Sequence, residues 1–225
     1  MKNLLASFWP RAKTRRNFPK PQGPEGVRIL GHREYVGGAW HEIGNLQFEY
    51  LVNQGLRPEH YLIDIACGCL RGGVHFVRYL EPGHYLGIEK EASLVQAGID
   101  TELSKEIYNV KKPELVVSST FEFTKFSSRP HFALAQSLFT HLPAKIIVDC
   151  FHKLRDFIRD DGIFYATYFE AATERENPPE ANTHAAFFYT REQMCQFGES
   201  TGWRFDYIGD WSHPRRQVII KYFPI

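Results

Sequence analysis

From Tyr61 onward the chain alternates between two kinds of segment, and this alternation limits its fold more than any other feature. Short apolar runs bounded by turn residues occur at YLIDIA (61–66), HYLGIE (84–89), ELVVSS (114–119), HFALAQ (131–136) and GIFYATYF (162–169). Each has the length of a strand buried on both faces. The stretches between them read as helices. Residues 143–159 place Ile147, Phe151, Leu154 and Ile158 on one face of an amphipathic helix. Pro143 suits its first turn, and Gly162 lies just past its end. Thr190 and Gln193 form a T-x-x-Q capping box, opening a helix to about Thr201 that Gly202 stops. Leu46, Tyr50 and Leu51 predict a further helix ahead of the first strand.

Strand–helix alternation implies a parallel sheet with helices on both faces, wound by right-handed crossovers. The end of the chain departs from this rule. WRFDYIG (203–209) and RQVIIKYF (216–223) are separated only by DWSHPR. Six residues hold no crossover helix, so these two strands run antiparallel. The expectation is an α/β, doubly wound, seven-stranded sheet, mostly parallel, with one antiparallel strand near the C-terminal edge. Such a sheet binds its ligand beyond the carboxyl ends of the strands, where strand order reverses.

Composition excludes several alternatives. The 225 residues are 43% hydrophobic and 24% charged, which rules out a disordered chain. No apolar run reaches the ~18 residues of a membrane span, and Leu4, Leu5 and Ala6 are too short a stretch for a secretory signal. Four cysteines are no disulfide framework, so a soluble, cytoplasmic protein is expected. Residues 1–26 carry six basic groups and one acid, Glu25. In the remainder acids outnumber bases, so it offers no platform for nucleic acid. The head, with Pro10, Pro19, Pro21 and Pro24 to break helices, reads as a solvated leader.

The first strand runs into LIDIACGCLRGG, in which Asp64 lies in the strand and Gly68, Gly72 and Gly73 lead into a helix. Glycine lets backbone approach a ligand, and a helix N-terminus offers free N–H groups to a carboxylate or phosphate. Glu89 ends the second strand, 21 residues after Gly68. An acidic side chain there accepts both hydroxyls of a ribose. Loop, spacing and alternation together point to a nucleoside cofactor. A dinucleotide is poorly matched, because ACGCLRGG is not G-x-G-x-x-G.

LIDIACGCLRGG resembles motif I of the class I S-adenosylmethionine-dependent methyltransferases, which have a Rossmann-like sheet. Glu89 matches the acid that this family sets on the cofactor ribose. SLFTHL (137–142), GDWSHPRRQ (209–217) and EYVGGAW (34–40) are similar to segments of a bacterial branch. The resemblance spans about residues 33–225. It implies S-adenosyl-L-methionine as cofactor and a methyltransferase domain over 27–225. Within it, 27–58 form an N-terminal cover and 170–189 a lid or substrate loop. It also implies that Asp64, Ala66, Gly68, Gly72 and Glu89 line the cofactor. Thr120 and Phe121 would flank the adenine, and Gln136 and Ser137 would face the sulfonium or the methionine carboxylate. Tyr35 and Trp40 would close over it. The sequence departs from the motif at Ala66 and Leu70, where glycines are usual, with Gly72 and Gly73 as the expected source of slack.

Methyl transfer from a sulfonium needs in-line alignment and exclusion of water, and a base only where the acceptor holds a proton. His141 and His213, at predicted strand ends, are the candidate bases. NPPE (177–180) is similar to a nucleic-acid amino-methyltransferase motif but follows the fifth strand rather than the fourth and ends in Glu. Cys67, Cys69, Cys150 and Cys195 include no C-x-x-C pair, so no metal is expected. The leading expectation is a small-molecule methyltransferase acting on a sugar, lipid or metabolite. Alternatives are an RNA or protein methyltransferase tethered by the basic head, a non-catalytic protein of the same fold, and an NAD-linked oxidoreductase.

Overall fold

The computed structural model describes residues 21–225. Lys2 to Lys20, the basic groups of the head, lie outside them. The described chain opens with helices α1 (Gly23–Leu30), α2 (His32–Tyr35) and α3 (Trp40–Asn53). Pro24 was expected to break any helix, but it occupies the first turn of α1, where its missing N–H costs nothing. On α3 the buried residues Trp40, Ile43, Gln47 and Leu51 recur at helical spacing.

The alternating region follows as β1 (Leu62–Ile65), α4 (Gly73–Tyr79), β2 (Tyr85–Glu89), α5 (Ala92–Ala97), α6 (Lys105–Lys111), β3 (Glu114–Val117), β4 (Phe132–Ala135) and α7 (Ala144–Phe157). It closes with β5 (Ile163–Glu170), β6 (Phe188–Tyr189), α8 (Arg191–Glu199), β7 (Trp203–Asp210) and β8 (Val218–Pro224). The main sheet has the order β3-β2-β1-β4-β5-β8-β7. β1 to β5 pair in parallel, and β8 runs against both β5 and β7. The seven expected strands are all present, and β8 is the reversed one. The unexpected element is β6, two residues beside the end of β5.

Both faces of the sheet are covered. Ile147, Phe151 and Leu154 of α7, with Ile158 just beyond it, bury the predicted stripe. Phe151 meets Tyr222 edge-to-face at 4.7 Å and Phe164 at 5.3 Å. The other face packs α3 and α4 over Leu62, Leu134 and Ile219. α8 starts with the capping box: Gln193 N donates to Thr190 Oγ1 at 3.2 Å, and Thr190 N to Gln193 Oε1 at 3.0 Å. The N-terminal helices are moored by Glu102, which accepts from Arg33 Nη2 at 2.7 Å and contacts His32 Nε2 at 2.6 Å. Chain order reverses between β1 and β4, and the described residues leave a cavity at the carboxyl ends of those strands.

Candidate cofactor and active site

The cavity encloses about 420 Å³, within the roughly 300–1,000 Å³ of ligand pockets. Its floor is the loop joining β1 to α4. Gly68 has φ 56° and donates its N–H to Glu89 Oε2 at 3.1 Å. Ala66 (φ 62°) and Leu70 (φ 67°), the two departures from the glycine pattern, also adopt the left-handed conformation. That region costs about 1–2 kcal/mol for a residue with a Cβ. Leu70 is fully buried, and its packing offsets part of that cost. The loop therefore keeps its turn without the missing glycines. Gly72 and Gly73 do not supply slack. A Cβ at Gly72 would lie 2.7 Å from Gln47 Oε1, and one at Gly73 2.6 Å from the Tyr85 hydroxyl. Gly73 is needed for close packing, and a side chain at Gly72 would displace the Gln47 amide.

Two buried acids stand on this side. Glu89 Oε1 accepts from the backbone N–H groups of Lys90 at 2.9 Å and Glu91 at 3.0 Å. Burial raises its pKa, against the lowering effect of its backbone donors. Asp64 accepts the Tyr85 hydroxyl at 2.7 Å, and burial pushes it up to about 6.

Beyond β3, Phe121 lines the cavity with a left-handed φ of 54° and stacks on Phe123, ring centroids 6.0 Å apart. Thr120 does not line it. The turn exposes its side chain, and its carbonyl takes Lys153 Nζ at 2.9 Å. Ser118 and Ser119 line the wall instead.

The β4 side is a polar network. Gln136 and Ser137 line the cavity. Ser137 N donates to Thr167 Oγ1 at 2.8 Å, and Thr167 Oγ1 to Gln217 Oε1 at 2.7 Å. Gln136 Nε2 lies 2.7 Å from Ser137 Oγ and 3.1 Å from His213 Nε2. His213 is buried behind Gln136 and is not among the lining residues, so it does not face the reacting space. Burial and the nearby Arg71 and Arg215 bring it down to about 4. It is a neutral support for the Gln136 amide.

His141 does line the cavity. Its Nδ1 lies 2.9 Å from the Ala185 carbonyl. That contact makes Nδ1 the protonated nitrogen and Nε2 the basic one. Burial lowers its pKa despite the carbonyls around it. Segment 170–189 reaches the same wall through Ala181, Asn182 and Thr183. Asn182 N donates to His141 O at 3.0 Å, and Phe187 N to Thr140 O at 2.9 Å. His184 stands outside the wall, with Nε2 3.1 Å from Pro21 O.

From the N-terminal side, Tyr35 and Val36 close the cavity. Trp40 does not. It packs with Val27, Cys69 and Leu94 under the Arg33 guanidinium, 4.6 Å above its ring. Sequence reasoning also missed Arg71, a buried lining residue. Its signal was a cation inside a glycine-rich loop. Among the described residues no group of three or more His, Cys, Asp or Glu is arranged to hold a metal, and no helix is long and apolar enough to cross a membrane.

No protein-family model matches the chain. Solved structures do resemble it. Magnesium protoporphyrin IX methyltransferase (ChlM) from Synechocystis PCC 6803, with bound SAM, is 12% identical, covering 86% of this chain and 89% of that one with a TM-score of 0.63. The CcbJ methyltransferase from Streptomyces caelestis is 12% identical over 84% of this chain and 92% of its own, with a TM-score of 0.64. The glycopeptide N-methyltransferase MtfA, complexed with SAM, is 12% identical over 81% and 94%, with a TM-score of 0.62. The likeness is one of fold: the chain has the architecture of these methyltransferases, as the motif resemblance implied.

Proposed function

We propose that the chain is an S-adenosylmethionine-dependent methyltransferase acting on a small-molecule acceptor. The observation that carries this reading is the cavity at the strand-order reversal, floored by the 66–73 loop and flanked by buried Glu89. The residues present fit a nucleoside with an aminoacyl tail. Of the lining residues, Glu89 would take the ribose hydroxyls, Phe121 would offer a ring face to the adenine, and Asp64, Gln136 and Ser137 would face the aminoacyl end. When bound, the cofactor supplies an activated methyl group.

The chain's own part is to align and to desolvate. Tyr35 and Val36 line one side and Asn182 and Thr183 another, the walls from which water would be excluded during transfer. Alignment of this kind supplies roughly 7–11 kcal/mol of a barrier. His141 is the candidate base: neutral, on the wall, with its tautomer set by Ala185. His213 is not proposed as a base, because it stands behind Gln136. A small acceptor is supported by the acidic body of the chain and by the modest cavity. The non-catalytic alternative loses its motive, because Ala66 and Leu70 hold the turn that glycines would.

Isothermal titration with S-adenosylmethionine, and in parallel with NAD, tests the cofactor. Binding of the first alone is expected; binding of NAD alone would sink the reading. With an acceptor in hand, His141→Gln should lower turnover by roughly 10²–10⁴-fold if the acceptor group holds a proton, at unchanged cofactor affinity.

A further inference from the structure

The cavity wall holds a buried positive charge on neutral partners alone. Arg71 is 8% exposed and lines the cavity. Its Nη1 donates to the carbonyls of Val36 at 3.2 Å and Gly38 at 3.0 Å, and its Nη2 to Gln136 Oε1 at 3.0 Å. Among the described residues no carboxylate pairs with it. A buried ion is ordinarily paired, because desolvating it alone is costly.

Its surroundings deepen the deficit. Arg215, from the β7–β8 hairpin, donates to Gly37 O in the same N-terminal loop, and no acid pairs with it among the described residues. Burial and this second cation lower Arg71 to about 10, which leaves it charged at neutral pH. A guanidinium carries five N–H donors, and the contacts above use three. Nε and one N–H of Nη2 are unclaimed. These belong to the planar fork that receives carboxylates. Asp64 lines the same cavity and feels the charge of Arg71 without a hydrogen bond to it. The two offer opposite charges to one ligand, the pattern that suits a zwitterionic aminoacyl group.

We propose that Arg71 is the carboxylate receptor of the cavity, its missing counter-charge being the α-carboxylate of the ligand's aminoacyl end. The inference deepens the cofactor reading and rests on it for the ligand, S-adenosylmethionine. A purely structural role would leave Arg71 a staple between the N-terminal loop and β4, indifferent to the ligand's carboxylate.

The test compares S-adenosylmethionine with decarboxylated S-adenosylmethionine, which lacks that one group, by isothermal titration of the full chain. The wild type is expected to bind the first roughly 10- to 100-fold more tightly. Arg71→Gln is expected to erase the preference, read as the ratio of the two affinities within that variant. Arg71→Lys keeps the charge but not the fork and should retain only part of the preference. Equal binding of the two compounds by the wild type overturns the proposal, leaves the cofactor reading standing, and depends on no variant's folding. If neither compound binds, the cofactor reading fails and this proposal falls with it.

Discussion

The two ends of the cavity hold their buried charges in different ways. At the β2 end, Glu89 accepts three backbone N–H groups, from Gly68, Lys90 and Glu91. All of these lie in one β-α-β unit, between β1 and the start of α5. At the β4 end, Arg71 rests on Val36, Gly38 and Gln136, with Ser137, Thr167, His213 and Gln217 behind. That end joins the N-terminal loop, two strands and the last hairpin. The first end is shaped by neighbours in the chain and is complete in itself. The second exists only once distant segments have docked, and its charge rests on neutral partners.

The largest expected effect breaks the local end. Gly68→Asp puts a Cβ into a left-handed backbone, 3.2 Å from Val36 Cγ1, and a second carboxylate beside Glu89. Cofactor binding should fall by at least about 100-fold. Glu89→Ala leaves three N–H groups without their acceptor and should weaken binding roughly 10- to 100-fold. Titration calorimetry reads both, with far-UV dichroism to verify folding. Unchanged affinity in both variants would move the ligand out of this loop.

A smaller effect sets the assembled end against the strand between the two ends in pH. His213, at the assembled end, is lowered to about 4 from an ordinary 6.5. It contributes stability above pH 6.5 that is lost as pH falls toward 4. Asp64, on β1 between the two ends, is raised to about 6 from 3.8. Its contribution has the opposite sign: stability present near pH 4 is lost as pH rises through 6. Over the same window the two slopes oppose. Denaturant unfolding between pH 4 and 7 should therefore show Asp64→Asn losing stability on acidification more steeply than the wild type. His213→Gln should lose it less steeply. Parallel curves for all three would deny that either group titrates as its burial requires.

The smallest effects mark the edge of the site. Ala66→Gly should stabilise the fold by about 0.5–1 kcal/mol, because glycine relieves a left-handed alanine. Thr120→Ala should leave cofactor affinity within about twofold, since its side chain faces solvent. A large loss in Thr120→Ala would place the adenine wall differently.

Much of this was legible in the residues. The seven main strands and the α7 stripe follow from apolar runs and spacing, which are local properties. The α8 cap was read from two side chains three apart. β6 was not legible, because two residues carry no period and pair only through the placement of β5. Trp40, Thr120 and His213 lie near the site in sequence, but their side chains point elsewhere, and side-chain direction depends on the turns around them. Ala66 and Leu70 looked like losses because motif reading counts glycines, while the backbone tolerates a Cβ in the left-handed region at a modest cost.

The sequence by itself determined that most strands run parallel, the reversed hairpin, the loop after β1 and the acid at the end of β2. These depend on hydrophobic period, turn chemistry and short spacing along the chain. Only the tertiary structure decided that Arg71, Gln136, His213 and Gln217 meet in one buried network. It also decided that Arg71 sits there on neutral partners. The reason is physical. Burial, and with it the cost of a charge, depends on which distant segments exclude water from a point, and no local pattern records that.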